Sequence, residues 1–257
     1  MVLTLFLHLF STFFMKAYRP PREGTWLTGL CLMGLVLAFG FSGYLLPWDE
    51  LSFFATRVGI SELEKVPGIG PFVANLARGG SDVTVDTIGR FYPLHVVVLP
   101  LLVLSLLGVH LLFVQIQGVS APDRYRKFPA DEQKSVSFFG EFLISEIFVW
   151  LLMAGMLVFL ATFFPCGLSP QADPTAPASP SIKPEWYFLS PYQALKLFPA
   201  RLELLGQLLI SAIPLAMLGL PFIDRATPAD RRGRIVSVIG FCLLIGFIGM
   251  TLWGWFS

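Results

Sequence analysis

The sequence predicts an all-α fold, a multi-pass transmembrane helical bundle of about six membrane segments with the first one truncated. Three observations carry this prediction. The 257 residues are 55% hydrophobic and only 14% charged, whereas soluble chains carry about 25% charge. Mean hydropathy is +0.71, so much of the surface needs an apolar surrounding. Long apolar runs recur at about 1–15, 26–46, 94–116, 142–164, 203–222 and 235–256. Five of them reach the ~20 residues that cross a ~30 Å hydrocarbon core as helix. The net charge of +1 offers no basic footprint for nucleic acid.

Taken in order, the first run ends before Lys16. It lacks the positive leader and small-residue cleavage site of a signal peptide, and is expected to be the tail of a helix that begins outside this chain. Three short connections then hold Lys16, Arg19 and Arg22; Arg124, Arg126, Lys127 and Lys134; and Arg225, Arg231, Arg232 and Arg234. These basic loops should face the cytoplasm, and they alternate with two longer connections at about 47–92 and 165–201. The first long connection holds Pro47, Pro67, Gly68, Gly70, Pro71 and the apolar stretch Leu51–Phe54, which suggests short interfacial helices. In the second, 165–183 reads as a Pro/Ala/Ser connector and 184–198 as an amphipathic, aromatic segment. Pro214 and Pro221 should kink or end their helix, and Trp253 and Trp255 suit an interfacial belt. Cys31, Cys166 and Cys242 lie far apart without CxxC spacing, which argues against a disulfide framework or zinc site; they read as buried small hydrophobes.

Function enters through the histidines. All three, His8, His95 and His110, sit in apolar segments, where polar side chains are costly and mark function. His95 and His110 lie fifteen residues apart on one segment, roughly 22 Å along a helix and within ~60° of one face. Gly29 and Gly43 are fourteen apart on the neighbouring segment, about 21 Å and within ~40°. A glycine lets a flat macrocycle or another helix approach the backbone closely. Matched histidine and glycine intervals suggest two stacked haems; hydrogen-bonding histidines and helix-packing glycines are the plainer alternative.

Gly43-Tyr44-Leu45-Leu46-Pro47-Trp48-Asp49, then Arg90-Phe91-Tyr92-Pro93-Leu94-His95, His110 and Pro184-Glu185-Trp186-Tyr187-Phe188 together resemble the cytochrome b subunit of cytochrome bc complexes. The turn and histidine spacing are closest to the chloroplast-type branch, with both halves fused and the N-terminus missing. The resemblance implies a haem-binding bundle over 1–120, a cytoplasmic-side linker over 121–140 and a three-helix C-terminal domain over 141–257. It implies two b haems in the complete complex, with His8 and His110 the one full ligand pair in this chain. His95 would be one ligand of the other haem, its partner histidine expected fourteen residues before His8. Gly29 and Gly43 would flank the haems, and Arg22 and Arg90 would pair with propionates, or else anchor at the interface. Glu185 would take the proton of a quinol, Tyr187 would act beside it, and Pro184, Trp186 and Tyr44 would bind the ring. The implied partners are a Rieske-type iron–sulfur protein, a c-type cytochrome, quinol and membrane lipid, in a dimeric complex of a bacterial inner membrane. Gln115 stands where relatives carry arginine, and Ser190-Pro191 reverses the usual order. Glu141 and Glu146 belong near a helix entry. The rivals are a haem-free transporter or channel, and a degenerate scaffold fragment.

Overall fold

The computed structural model describes residues 1–120, 128–129, 136–165, 167, 170–177, 182–225 and 231–257. They form helices joined by turns, and divide into two compact units, Met1–Ser120 with Pro170–Ser257, and Ala121–Ser169. The first unit contains α1 (Val2–Phe14), α2 (Glu23–Tyr44), α3 (Glu50–Glu64), α4 (Gly70–Arg78), α5 (Val85–Pro93) and α6 (Leu99–Gln117), with a π-helical turn, Leu94–Val98, between α5 and α6. The second unit has a π turn, Phe138–Phe142, leading into α7 (Leu143–Phe163). The first unit resumes with α8 (Trp186–Leu195), α9 (Glu203–Ile223) and α10 (Arg231–Phe256).

Five helical stretches among the described residues are long and apolar enough to span a bilayer: Glu23–Tyr44, Val85–Gln117, Phe139–Phe163, Ala200–Ile223 and Gly233–Phe256. Their apolar faces point outward. Only 6% of the most apolar window of Val85–Gln117 is buried, an arrangement that lipid covers and water would not. The chain is therefore a multi-pass membrane protein. The same inversion corrects the expectation of buried cysteines. Cys31 and Cys242 are exposed, because the apolar surrounding they prefer is supplied from outside the fold. Cys166 and the linker cations Arg124, Arg126, Lys127 and Lys134 lie outside the described residues.

Within the first unit α2 packs along α6 and α8 along α10. The region 47–92 folds as expected into short helices, each with a local signal. Asp49 caps α3: its Oδ1 accepts from Ser52 N at 2.8 Å, and Asp49 N donates to Ser52 Oγ at 3.0 Å, a reciprocal capping box. At α5 Thr84 N donates to Thr87 Oγ1 at 2.9 Å, and Thr84 Oγ1 accepts from Asp86 N at 3.3 Å, a capping box of the same kind. α4 closes on Gly79 at φ +81°, the left-handed conformation a helix stop favours. Leu45, Phe53, Phe54, Ile60, Ala74, Val83 and Phe91 make one buried core here. A second core, of Phe13, Tyr18 and Trp26 with Met217 and Leu220 beside them, joins α1 and α2 to α9. Both expected proline positions lie inside α9, which ends two residues after Pro221.

The π turn before α6 has a cause in Pro100. Proline cannot donate a backbone hydrogen bond, and its ring crowds the carbonyl four residues back. The helix widens by one residue at that point, with Leu99 N bonding Leu94 O. A π turn absorbs one residue into a helix, so the fifteen-residue histidine interval is worth fourteen α-helical steps, the same as Gly29 to Gly43.

Candidate functional site

A cavity of about 320 Å³ opens between the end of α2, α3 and the start of α8, lined among others by Gly40, Tyr44, Pro184, Glu185, Tyr187 and Phe188. That volume suits a small ring system. A second cavity, of about 380 Å³, lies beside it and is lined by Gly43, Tyr44, Pro47, Asp49, Glu185 and Tyr187 among others. Tyr44, Glu185 and Tyr187 belong to both walls, so they form the neck between the two spaces.

The turn after α2 creates this arrangement. Trp48 takes a positive φ of 52°, reversing the chain after Pro47, and the backbone that follows is held from outside the turn. Ala172 N donates to Trp48 O at 3.1 Å and Glu50 N to Pro170 O at 3.0 Å. These bonds hold Pro170 and Ala172 against the turn that follows Tyr44. Pro184 fixes its own φ, and Glu185 stands at the N-cap of α8 with φ −52° and ψ 150°.

Glu185 makes no capping hydrogen bond through its side chain. Its carboxylate sits at the positive end of a helix dipole without being tied to it. The Tyr187 hydroxyl rests on α2, where a Cβ on Gly40 would fall 2.5 Å from Oη. Any side chain at Gly40 would push the hydroxyl from this position, a signal the sequence carried but that only the packing explains. Burial first, and the nearby Glu185 charge second, raise the Tyr187 phenol above its ordinary pKa. Tyr187 is thus a proton-bearing hydroxyl at neutral pH. Trp186 departs from expectation: it does not line the cavity, and packs on Phe6 of α1 and on Tyr187. One step of ~100° around a helix separates its direction from that of Tyr187.

The histidines meet the glycines as their spacing predicts. A Cβ on Gly43 would lie 2.6 Å from His95 Cε1, and one on Gly29 would lie 3.2 Å from His110 Cε1. Ser42 Oγ is 3.0 Å from His95 Nδ1, and Thr28 Oγ1 is 3.0 Å from His110 Nδ1. His8 is exposed on α1, and its ring makes no hydrogen bond among the described residues. The arginines are both occupied with backbone. Arg90 Nη1 donates to Leu76 O at 2.7 Å, while Arg22 donates to Gly118 O and Val119 O, each at 3.0 Å.

Sequence comparison decides the family. Residues 1–173 match the model of the family described as cytochrome b(N-terminal)/b6/petB, and 171–256 match that of cytochrome b(C-terminal)/b6/petD. The chain belongs to the cytochrome b family. It is 44% identical over 245 residues to a cytochrome bc complex cytochrome b subunit of Chlorobaculum thiosulfatiphilum, covering 95% of this chain and 57% of that protein. It is 40% identical over 122 residues to the menaquinol:cytochrome c reductase cytochrome b subunit of Geobacillus thermodenitrificans, covering 47% of this chain and 54% of that one. The chain thus spans little more than half the length of these curated relatives. A solved structure titled hyperthermophilic respiratory complex III superposes with a TM-score of 0.76 at 28% identity, covering 98% of this chain and 68% of that one.

Membership in a family of b-type cytochromes implies haem binding. The donor set fits that group: imidazoles are good iron ligands, and two of the three lie against glycines, where a Cβ on Gly43 would crowd the His95 ring and one on Gly29 would press on that of His110.

Proposed function

We propose that this chain is the cytochrome b subunit of a quinol-oxidising, proton-translocating bc-type complex, and that the cavity at the α2–α8 neck receives the quinol ring. The observation that carries the reading is Glu185, an untied carboxylate in the wall of two adjoining cavities. Quinol oxidation releases two electrons and two protons, so a base must stand beside the ring hydroxyl. Glu185 takes a proton in the first cavity, rotates at its N-cap position, and releases it into the second. Tyr187, holding its own proton, orients the ring by hydrogen bonding; Tyr44 closes the opposite wall, Pro184 fixes the approach, and Trp186 braces Tyr187 from behind.

Haem b supplies a one-electron carrier where His95 and His110 would hold it, with His8 as the second ligand beside His110. The electrons then divide. One leaves to a Rieske-type iron–sulfur protein and onward to a c-type cytochrome. With haem bound there, the residues His95 and His110 would hold the carriers by which the other electron could cross to a quinone on the cytoplasmic side. Gly29 and Gly43 keep the approach to those sites open, and Arg22 and Arg90 stand near their ends. The complex is a dimer embedded in lipid, in a bacterial inner membrane; the membrane setting rests on the five apolar spans, and the bacterial one on the Chlorobaculum and Geobacillus relatives. Neither the transporter nor the scaffold reading has an observation of its own.

The test is Glu185→Gln in the assembled complex. Quinol oxidation should slow by about 10²-fold or more, the usual worth of a positioned proton acceptor, with haem content unchanged. A variant that turns over at the wild-type rate would exclude Glu185 as the base.

A further inference from the structure

The hydroxyls of Thr28 and Ser42 are placed alike. Each precedes one of the paired glycines, Gly29 and Gly43, in sequence, and each lies 3.0 Å from the Nδ1 of the histidine that the glycine faces. Hydroxyl-bearing residues in membrane helices ordinarily bond back to their own helix or across to a polar neighbour. Thr25 does the latter, donating to Gln117 Oε1 at 2.7 Å. Thr28 and Ser42 do both, and at a histidine each time.

A hydroxyl has a single proton and two lone pairs. The proton of Thr28 has an acceptor in its own helix, Gly24 O at 2.8 Å, with Thr25 O at 3.0 Å. That of Ser42 points to Phe39 O at 3.3 Å. With their protons committed to α2 carbonyls, both oxygens face the imidazoles as acceptors. Nδ1 must then carry the ring proton of His110 and of His95, and Nε2 keeps the lone pair. We infer that Thr28 and Ser42 are positioning residues, which fix each imidazole in the tautomer and orientation that presents Nε2 to a metal. A ligating histidine commonly donates its other N–H to an oxygen in this way, and the bond raises its basicity.

This inference rests on the haem reading above. A stronger imidazole donor favours the oxidised metal, so deleting the acceptor raises the reduction potential of the haem concerned. The experiment is a redox titration of the b-haem absorption band, with a haem count, in the complex carrying wild-type chain, Thr28→Val, Ser42→Ala or Thr28→Ser. Thr28→Val should raise the potential of one haem and Ser42→Ala that of the other, while Thr28→Ser keeps both wild-type values. Loss of one haem in Thr28→Val, restored in Thr28→Ser, supports the same role. Haem-replete variants with wild-type potentials overturn it, as does a variant that shifts both haems equally. A wild-type complex without b haem would instead remove the haem reading itself, which separates the two failures.

Discussion

Glu185 and Asp224 are both carboxylates at the end of a helix, but one stands at the N-cap of α8 and the other at the C-cap of α9. Asp224 is completely buried at the negative end of a helix dipole, where a carboxylate is disfavoured. Three basic-loop residues answer it. Arg19 Nη2 donates to Oδ1 at 2.8 Å, the Tyr18 hydroxyl donates to Oδ2, and Lys16 Nζ lies 3.9 Å away. Burial pushes the Asp224 carboxyl up, but the hydrogen bonds from Tyr18 and Arg19, with the charges of Arg19 and Lys16, outweigh it and hold the group below its ordinary pKa. The Tyr18 phenol is raised far above its usual range, by burial first and Asp224 second. Burial lowers Lys16, against the pull of Asp224. Glu185 has the reverse setting: a favourable helix end, no side-chain hydrogen bond among the described residues and open space on two sides. The contrast separates a carboxylate that fastens the fold from one that is free to move a proton.

Removing Asp224 should give the largest stability effect. Asp224→Ala leaves Arg19 and Lys16 as buried cations without their counter-charge, a loss of about 3–5 kcal/mol. The purified protein should melt well below wild type, and an unchanged melting temperature would show that the cluster fastens nothing. The same group sets a pH response. Because its folded pKa is depressed, its contribution is complete above the unfolded carboxyl value of about 3.9. It is lost as pH falls through the lower folded value, and melting curves across acid pH read that loss. Glu185→Gln should leave melting untouched while slowing turnover; equal damage to both would erase the distinction.

The glycines sharpen the comparison further. Gly43→Ala puts a methyl 2.6 Å from His95 Cε1, closer than real contacts allow, whereas Gly29→Ala meets His110 at 3.2 Å and needs only a small shift. Haem content should fall more in Gly43→Ala than in Gly29→Ala, and equal losses would contradict the packing. The smallest effect belongs to the surface. Lys65 pairs with Glu62 and Glu203 at about two-fifths exposure, and Lys65→Ala should cost at most ~1 kcal/mol in melting experiments.

Much of this was legible in the sequence. Apolar runs located the spanning helices, and the Pro184-Glu185-Trp186-Tyr187 segment with the histidine and glycine intervals pointed to the candidate sites. What escaped depends on contacts between distant segments. The π turn arises from Pro100 but shows its effect only in the phase of His95 against Gly43. Trp186 sits among the motif residues, yet which side of α8 meets α1 is set by packing with Phe6. Asp224 is one acidic residue at the end of an apolar run, and its partners lie about two hundred positions earlier. Its place before a basic stretch was the available signal. Gly40 becomes informative only once the Tyr187 hydroxyl is seen against it.

The most direct test of the account is the number of b-type haems per copy of this polypeptide in the native purified complex, read from the pyridine haemochrome spectrum. Two haems per copy are predicted, one held by His95 and one by His110. Fewer than two would contradict the paired-histidine reading, and none would remove transmembrane electron transfer from what this chain does.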